Sequence, residues 1–321
     1  MMNISEAFQC CKICGGKINL KSRIYDDRYG YSGYFDLYKC CFCGHGIINF
    51  EFATAQLTEL YTDHYPRSFF DVTKYKPAEG AKGFIAWLDG AARSAYCWVP
   101  EKVRVLDIGC GFGETLGYHK LRGCDAYGVE ADENIRRYAE KYGFNVHVGL
   151  FDPEQYEEDF FDYVTLDQVI EHVTDPVETL RGVARVLKPG GVAILSTPNS
   201  NGWGAKVFGN RWINWHAPYH LHHFSDKSMH IAAEKAGIEI EWVKTLTSSD
   251  WLHHQWNHAL IFPRMGEPSP YWSPEVKRGL MDKLILAFLS VLHRTKINHL
   301  ITRLCDTFDI GDNYLFFMRK S

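Results

Sequence analysis

The chain has 321 residues, a formal net charge of −4 and a hydrophobic fraction of 46%. These values are ordinary for globular proteins, and the length predicts one large domain with a small one, or two domains. The slightly acidic balance excludes a general electrostatic attraction to nucleic acid, so nucleic acid is not the expected partner.

The first segment, residues 1–50, is rich in cysteine and forms the first predicted module. Two Cys-x-x-Cys-Gly turns occur in it, and their thiolates belong to Cys11, Cys14, Cys40 and Cys43. Four thiolates in two such turns close a tetrahedral site, which predicts a zinc-ribbon-like module with one structural zinc ion. His45 is an alternative ligand. The first nine residues lack the basic start and apolar core of a secretory signal, which predicts a cytoplasmic protein.

Residues 51–99 are expected to form a helical linker. Pro66, Pro77 and Gly80 interrupt this segment. The stretch GFIAWLDGAARSAY at 83–96 has apolar residues at helical spacing, and Pro100 ends the linker.

From residue 100 onwards, short apolar strands alternate with helical stretches. The strands are VRVLDIG, AYGVE, NVHVG, FDYVTLD and GVAILSTPN, and a helix is expected after FDYVTLD, ending at Leu187. This alternation predicts an α/β fold with a doubly wound, Rossmann-like parallel sheet over 100–249. Residues 201–230, which lack clear periodicity, are expected to fold over the ligand site as a lid.

A glycine-rich turn follows the first of these strands, in the sequence VLDIGCGFGETL from Val105 to Leu116. Glycine permits a sharp turn and a close approach of the backbone to a ligand. Asp107 precedes the turn, where a carboxylate would repel a diphosphate but suits a ligand with an ammonium group. Glu114 stands where the dinucleotide fingerprint requires a small residue. Glu130 ends the next strand and can accept hydrogen bonds from ribose hydroxyls.

The glycine turn, the acid in GVEADENI, the strand FDYVTLDQVIEHVTDP and the segment RVLKPGGVAILSTPN together resemble class I S-adenosylmethionine-dependent methyltransferases. The resemblance implies a seven-stranded sheet whose last, antiparallel strand is NYLFFMRK. It also implies that the methionine end of the donor contacts the turn, that the ribose lies at the end of the second strand, and that the methyl group lies at the end of the fourth. Leu150 or Phe151 is then expected to pack on the adenine, with Asp152 beside it. The expected donor-binding residues are Asp107, Gly109, Cys110, Gly111, Gly113, Glu130, Ala131, Asp152, Asp167 and Gln168.

Glu171 and His172 follow the fourth strand and are expected on the next helix. A similar Glu-His pair in ubiquinone-type O-methyltransferases suggests that these residues can bind a divalent ion. Gln168 stands where that pattern has another acid. For His172, a catalytic role and a role in helix packing both remain open.

The segment WINWHAPYHLHHFS, residues 212–225, is the candidate for the acceptor side. Histidine can take up a proton near neutral pH. The segment resembles the Tyr-His-x-His stretch of sugar C-methyltransferases, which also carry an N-terminal zinc module, and the match implies that Tyr219 and His222 act as bases. His220 is a further candidate, and a second metal site in this histidine-rich region is an alternative. These aromatic residues could instead only brace the loop by packing.

Residues 250–321 predict a helical insertion followed by the final strand. The longest apolar run, from Leu284 to Leu292, is too short to span a bilayer, so no transmembrane segment is expected. It predicts either a buried helix face or a weak contact with a membrane or protein through residues 280–293.

These features predict S-adenosylmethionine-dependent methyl transfer to a hydroxyl or carbon of a small molecule, such as a sugar or a biosynthetic intermediate. Two alternatives stay open. One is an RNA methyltransferase that grips RNA with its zinc ribbon, and the other is a module that binds the donor without catalysis.

Overall fold

The computed structural model describes residues 10–48, 72–273 and 276–321. The chain divides into two units. The first is drawn from Met1–Phe69, Asn199–Ser228 and Thr247–Asp312, and the second from Phe70–Pro198, Met229–Leu246 and Asn313–Ser321. The module boundaries expected at residues 50, 99 and 249 stay predictions, and the two units divide the chain at other positions. The first nine residues and residues 49–71, which include much of the expected linker, lie outside the described part.

The second unit is built on a seven-stranded sheet. Its strands are β4 (Arg104–Ile108), β5 (Asp125–Glu130), β6 (Asn145–Val148), β7 (Phe161–Asp167), β8 (Leu187–Pro198), β10 (Ile238–Leu246) and β11 (Asn313–Lys320). Their order across the sheet is β10-β11-β8-β7-β4-β5-β6. Strands β4 to β8 pair in parallel, whereas β11 pairs antiparallel with both β8 and β10. This confirms the predicted doubly wound, seven-stranded sheet with NYLFFMRK as its antiparallel strand.

Continuous burial explains why the central strands lack an alternating pattern. Leu106 and Val105, neighbours on β4, are both fully buried, as are Ile194 and Leu195 on β8. Successive residues of a strand point to opposite faces, so both faces of the sheet are covered. The apolar run of β11 has the same origin, because every residue from Tyr314 to Met318 is buried.

Helices connect and follow these strands. Their bounds are α1 (Gly83–Asp89), α2 (Glu114–Leu121), α3 (Ile135–Tyr142), α4 (Pro176–Val186), α5 (Trp203–Phe208), α6 (Asp226–Ala236), α7 (Ser249–Leu260), α8 (Leu280–Arg294) and α9 (Ile297–Thr307). Single 3-10 turns occur at Val72–Lys74, Ala91–Arg93, Ala95–Trp98, Pro153–Gln155, Gly209–Arg211 and Ile213–Trp215.

One of these helices ends earlier than expected and another begins later, and a local signal in the sequence accounts for each. The helical spacing over 83–96 yields α1 followed by two 3-10 turns, because Gly90 takes a left-handed conformation (φ 71°) and ends the α-helix. The helix expected directly after β7 starts later, at Pro176. Asp175 caps it by accepting hydrogen bonds at 3.0 Å from the backbone N–H groups of Val177 and Glu178.

The first unit contains a small antiparallel sheet in the order β1 (Ile18–Ile24), β2 (Phe35–Cys40), β3 (Gly46–Ile48) and β9 (His222–His223). Strand β9 comes from the histidine-rich segment, and it pairs Ile47 with His222. The core of this unit includes Leu37, Trp212 and Tyr219. The side chain of Asp312, itself buried, accepts a hydrogen bond from the indole of Trp212 at 3.0 Å.

Among the described residues, no helix is both long enough and apolar enough to cross a bilayer.

Candidate functional site

The glycine turn lies at the carboxyl end of β4, which is where open α/β sheets bind their ligands. The backbone N–H groups of Gly109 and Cys110 both donate to the carbonyl oxygen of Val129, at 2.8 and 3.0 Å. These hydrogen bonds join the turn to the neighbouring strand β5 and fix its path before α2 begins at Glu114.

Glycine is required at two positions of this turn. Gly109 and Gly113 have φ of 78° and 81°, the left-handed region that other residues rarely adopt. A Cβ atom on Gly109 would also lie 2.4 Å from the side chain of Val169, and one on Gly113 would lie 2.8 Å from the ring of Phe144. Any side chain at either position would therefore both strain the backbone and displace a packed neighbour.

Asp107 lies under the turn and is almost fully buried. Thr165 donates a hydrogen bond of 2.7 Å to its Oδ1 atom, and Thr115 donates to its Oδ2 atom. Burial raises the pKa of Asp107 to about 6, against the lowering effect of these two hydroxyl groups. The carboxyl group is thus held in one orientation by the β7 strand and by the first turn of α2.

Glu130 ends β5, where its carboxylate bridges two backbone segments. Its Oε2 atom accepts a hydrogen bond of 3.0 Å from Gly111 in the turn, and its Oε1 atom accepts one of 2.8 Å from Asp132. Ala131, between them in sequence, is exposed at the same edge of the sheet. The expected ribose position and the glycine turn are therefore joined by one side chain.

The expected adenine side is less enclosed. Asp152 caps a short 3-10 turn, accepting hydrogen bonds at 3.0 and 3.1 Å from Glu154 N and Gln155 Nε2, and these lower its pKa. Phe151 packs against Gly182, because a Cβ atom there would lie 2.9 Å from its ring. Leu150, by contrast, is 81% exposed.

Asp167 and Gln168 end β7, and Gln168 adopts a left-handed conformation (φ 58°) that is unusual for a residue other than glycine. Hydrogen bonds hold it there: its backbone N–H donates to Ser196 O at 2.9 Å, and its amide nitrogen donates to Ser196 Oγ and Asn313 Oδ1, each at 2.8 Å. Burial raises the pKa of the neighbouring Asp167. Backbone strain of this kind is commonly found at functional sites.

Glu171 is a buried acid that the sequence analysis considered only as a partner in metal binding. Its Oε2 atom accepts a hydrogen bond of 3.0 Å from Thr197 on β8, and burial raises its pKa to about 8. Glu171 and His172 lie in turns between β7 and α4, so their expected place on a helix is wrong. The His172 N–H donates to Val169 O at 2.9 Å within this turn.

A family model described as a methyltransferase domain matches residues 64–242, more than half of the chain. The chain belongs to the S-adenosylmethionine-dependent methyltransferases. A ubiquinone biosynthesis O-methyltransferase of Xanthomonas oryzae is 31% identical over 161 residues, which are 46% of this chain and 67% of the relative. The corresponding protein of Pseudomonas aeruginosa is 30% identical over 175 residues, 49% of this chain and 75% of the relative.

Solved structures of similar enzymes align more distantly. A possible histamine N-methyltransferase from Thermotoga maritima is 22% identical with a TM-score of 0.44, covering 74% of this chain and 89% of its own.

The structure of this methyltransferase also shows a residue of the turn region that sequence reasoning missed. Tyr75 donates a hydrogen bond of 2.8 Å from its hydroxyl to Gly113 O, and its ring lies 4.3 Å from that of Tyr142. Burial raises its pKa to about 12, so it remains a donor at neutral pH. Tyr75 is 38 residues from Gly113 in sequence, and no motif links the two.

In the first unit, the Tyr/His candidates lie in the interior. Tyr219 is 1% exposed, and its ring packs edge-on against Tyr29 at 5.7 Å. The Nδ1 atom of His222 lies 3.0 Å from His45 Nε2. The Nδ1 atom of His220 lies 2.9 Å from the carbonyl oxygen of Asn214. Because a carbonyl oxygen only accepts, Nδ1 carries the proton of a neutral His220 ring, and Nε2 carries the lone pair.

The four predicted cysteine ligands come together in the first unit. The Sγ atoms of Cys11, Cys14, Cys40 and Cys43 all lie within 4.8 Å of one another. The pairs Cys11–Cys43 and Cys14–Cys40 are 3.7 and 3.4 Å apart. A zinc–sulfur bond of about 2.3 Å places the sulfurs of a tetrahedral site about 3.8 Å apart, so the group fits a metal ion. His45 contacts His222 and is not part of this group.

The raised pKa of Glu171 predicts a pH dependence of stability. The unfolded carboxyl releases its proton near pH 4.5, whereas the folded one holds it up to about pH 8. Between these values the folded state binds more protons, so its contribution to stability falls as pH rises, by at most about 1.4 kcal/mol per pH unit. The melting temperature of Glu171→Gln should therefore differ less between pH 6 and pH 9 than the melting temperature of the wild type does.

Thermal melts followed by circular dichroism across this pH range test the prediction. Asp125→Asn, a change at an exposed carboxylate, serves as the control and should keep the wild-type change of melting temperature with pH. If this change is the same in Glu171→Gln as in the wild type, the pKa of Glu171 is not raised.

Proposed function

We propose that this enzyme transfers the methyl group of S-adenosylmethionine to a hydroxyl or carbon of a small molecule, such as a sugar or a biosynthetic intermediate. The observation that supports the proposal is the hydrogen bond from Gly111 to Glu130, which joins the glycine turn to the acid that we propose for the ribose. A hydroxyl acceptor is favoured, because the curated relatives at 30–31% identity are named O-methyltransferases.

In this proposal the donor lies along the carboxyl ends of β4, β5 and β7. Its ammonium group is attracted by the acids of this edge, whereas a diphosphate would be repelled. The methionine end contacts Asp107, Gly109, Cys110, Gly111 and Gly113. Glu130 and Ala131 contact the ribose, and Asp152 lies on the adenine side. Asp167 and Gln168 lie beside the methyl group.

Methyl transfer is an in-line displacement at carbon. The acceptor oxygen forms the new bond to the methyl carbon, the carbon–sulfur bond breaks, and the sulfonium takes the electron pair to become a thioether. The donor is already activated, so the protein mainly aligns the reactants. The acceptor must also lose its proton, which requires a base.

Four residues are the candidates for that base: Tyr219, His220, His222 and His172. We favour His220, because its hydrogen bond to Asn214 O leaves Nε2 as the basic atom. Tyr219 and His222 are the alternatives suggested by the resemblance to sugar C-methyltransferases. The role of His172 stays open between catalysis and packing.

His220→Asn tests this assignment, because asparagine can keep the hydrogen bond to Asn214 O but has no basic nitrogen. With an acceptor found by screening phenols, catechols and sugars for release of adenosylhomocysteine, kcat should fall by about 100-fold. Donor affinity should stay within about twofold of the wild-type value.

His230→Asn, at an exposed position of α6, is the matched control and should keep full activity. Wild-type kcat in His220→Asn would remove His220 from the mechanism and leave Tyr219, His222 and His172 as the bases to test.

We further propose that Cys11, Cys14, Cys40 and Cys43 hold one zinc ion. Backbone N–H groups support this, since Gly16 donates to Cys14 Sγ and Phe42 to Cys40 Sγ, each at 3.4 Å. Four thiolates leave no open coordination position, so the ion would stabilise the fold and take no part in the chemistry.

Replacing Cys14 with serine should lower the zinc content, measured by atomic emission, well below one ion per chain, and should lower the melting temperature. Cys10→Ser, a change at an exposed cysteine outside the group, is the control and should retain the ion. Full zinc content in Cys14→Ser would refute the four-thiolate site.

A further inference from the structure

Helix α8 exposes an apolar face. Leu280, Leu284, Phe288 and Val291 are between 55% and 75% exposed, and their spacing places them along one side of the helix. Met281, next to this row, is 67% exposed. Of the residues of α8, only Leu289 is buried. The run that the sequence suggested as a buried helix face is therefore largely turned outward.

Helix α9 buries its polar face and exposes its apolar face, which is the reverse of an ordinary surface helix. Its buried residues are the polar Asn298, His299, Thr302 and Arg303. Its apolar residues point outward: Leu300 is 66% and Leu304 60% exposed, and Ile297 and Ile301 are exposed as well. Phe308, which directly follows the helix, is also exposed.

The inward polar face of α9 is satisfied within the first unit. Arg303 forms an ion pair of 2.8 Å with Asp306 and also donates to Thr247 O. The hydroxyl of Thr302 lies 3.0 Å from that of Ser249. Since buried polar groups are expensive to leave unpaired, these contacts fix the rotation of α9 about its axis. They keep its leucines and isoleucines out of the core.

Basic side chains flank this surface. Lys283 lies on α8, and Arg294 and Lys296 lie at the junction of the two helices, all three exposed. Two more exposed cations, Lys277 and Arg278, precede α8. Between residues 276 and 308 the sequence has six Lys or Arg and two Asp, a formal charge of +4, although the whole chain carries −4.

We propose that the exposed faces of α8 and α9, here called the α8–α9 face, dock on an anionic lipid surface. Apolar side chains would enter the acyl boundary while Lys283, Arg294 and Lys296 contact acidic head groups. At 15 residues, α8 is too short to span the hydrocarbon core, which needs about 20, so the helices lie in the interface. A second copy of the chain fits less well, because two such faces would bring like charges together.

Flotation of the full chain with lipid vesicles tests the proposal. The protein should float with vesicles of phosphatidylcholine and phosphatidylglycerol in equal parts, and much less with phosphatidylcholine alone. The double variant Leu300→Gln/Leu304→Gln should reduce binding to the mixed vesicles by about tenfold or more, because it removes apolar contact without changing charge.

The matched control is Leu121→Gln/Leu260→Gln, two exposed leucines outside the α8–α9 face, which should bind the mixed vesicles as the wild type does. Circular dichroism melts of both double variants check that the fold is kept. Absence of binding to the mixed vesicles would overturn the proposal, as would equal loss in the two double variants. Sedimentation showing a dimer that only Leu300→Gln/Leu304→Gln dissociates would assign the face to self-association instead.

Discussion

The glycine turn of this methyltransferase depends on how the chain after β4 is attached to the end of β5. Two N–H groups of the turn donate to one carbonyl oxygen, that of Val129, and a third donates to the carboxylate of Glu130. This attachment is possible only because β4 and β5 are parallel neighbours whose carboxyl ends meet. Glycines at 109 and 113 let the chain reverse in so little space. Tyr75 donates a hydrogen bond to the last residue of the turn, and Asp107 joins β4 to β7 and α2 beside it.

Around this turn, burial sets the protonation of several acids. Asp107 and Glu171 are removed from water and held by threonine hydroxyls, and their pKa values rise to about 6 and about 8. At neutral pH the carboxyl group of Glu171 is therefore mostly protonated and neutral, whereas that of Asp107 is mostly ionised. The negative charge of Asp107 beside the turn disfavours a diphosphate and favours a ligand with a positive group.

Much of this architecture could be predicted from the sequence, because the alternation of apolar strands with helices reflects burial on both faces of the sheet. The last strand, NYLFFMRK, could be predicted from the resemblance to the family, and the meeting of the four cysteines from the spacing of the two Cys-x-x-Cys-Gly turns. The place of Glu171 was not predicted, although Asp175 and Pro176 are a helix-start signal in the sequence: they set the start of α4 after the Glu-His pair, which therefore lies in a turn. Tyr75 joins the turn through a contact distant in sequence. The sequence also did not predict that α9 buries its polar face. A periodic pattern separates an apolar face from a polar one but does not show which of them is buried, and here the buried contacts of Arg303 and Thr302 determine it.

Titration calorimetry with adenosylhomocysteine and, separately, with a nicotinamide dinucleotide measures the preference of the glycine turn most directly. Glu130, as a ribose acceptor, predicts saturable binding of adenosylhomocysteine, and Asp107, which would repel a diphosphate, predicts no measurable heat from the dinucleotide. Binding of the dinucleotide without binding of adenosylhomocysteine would contradict the account.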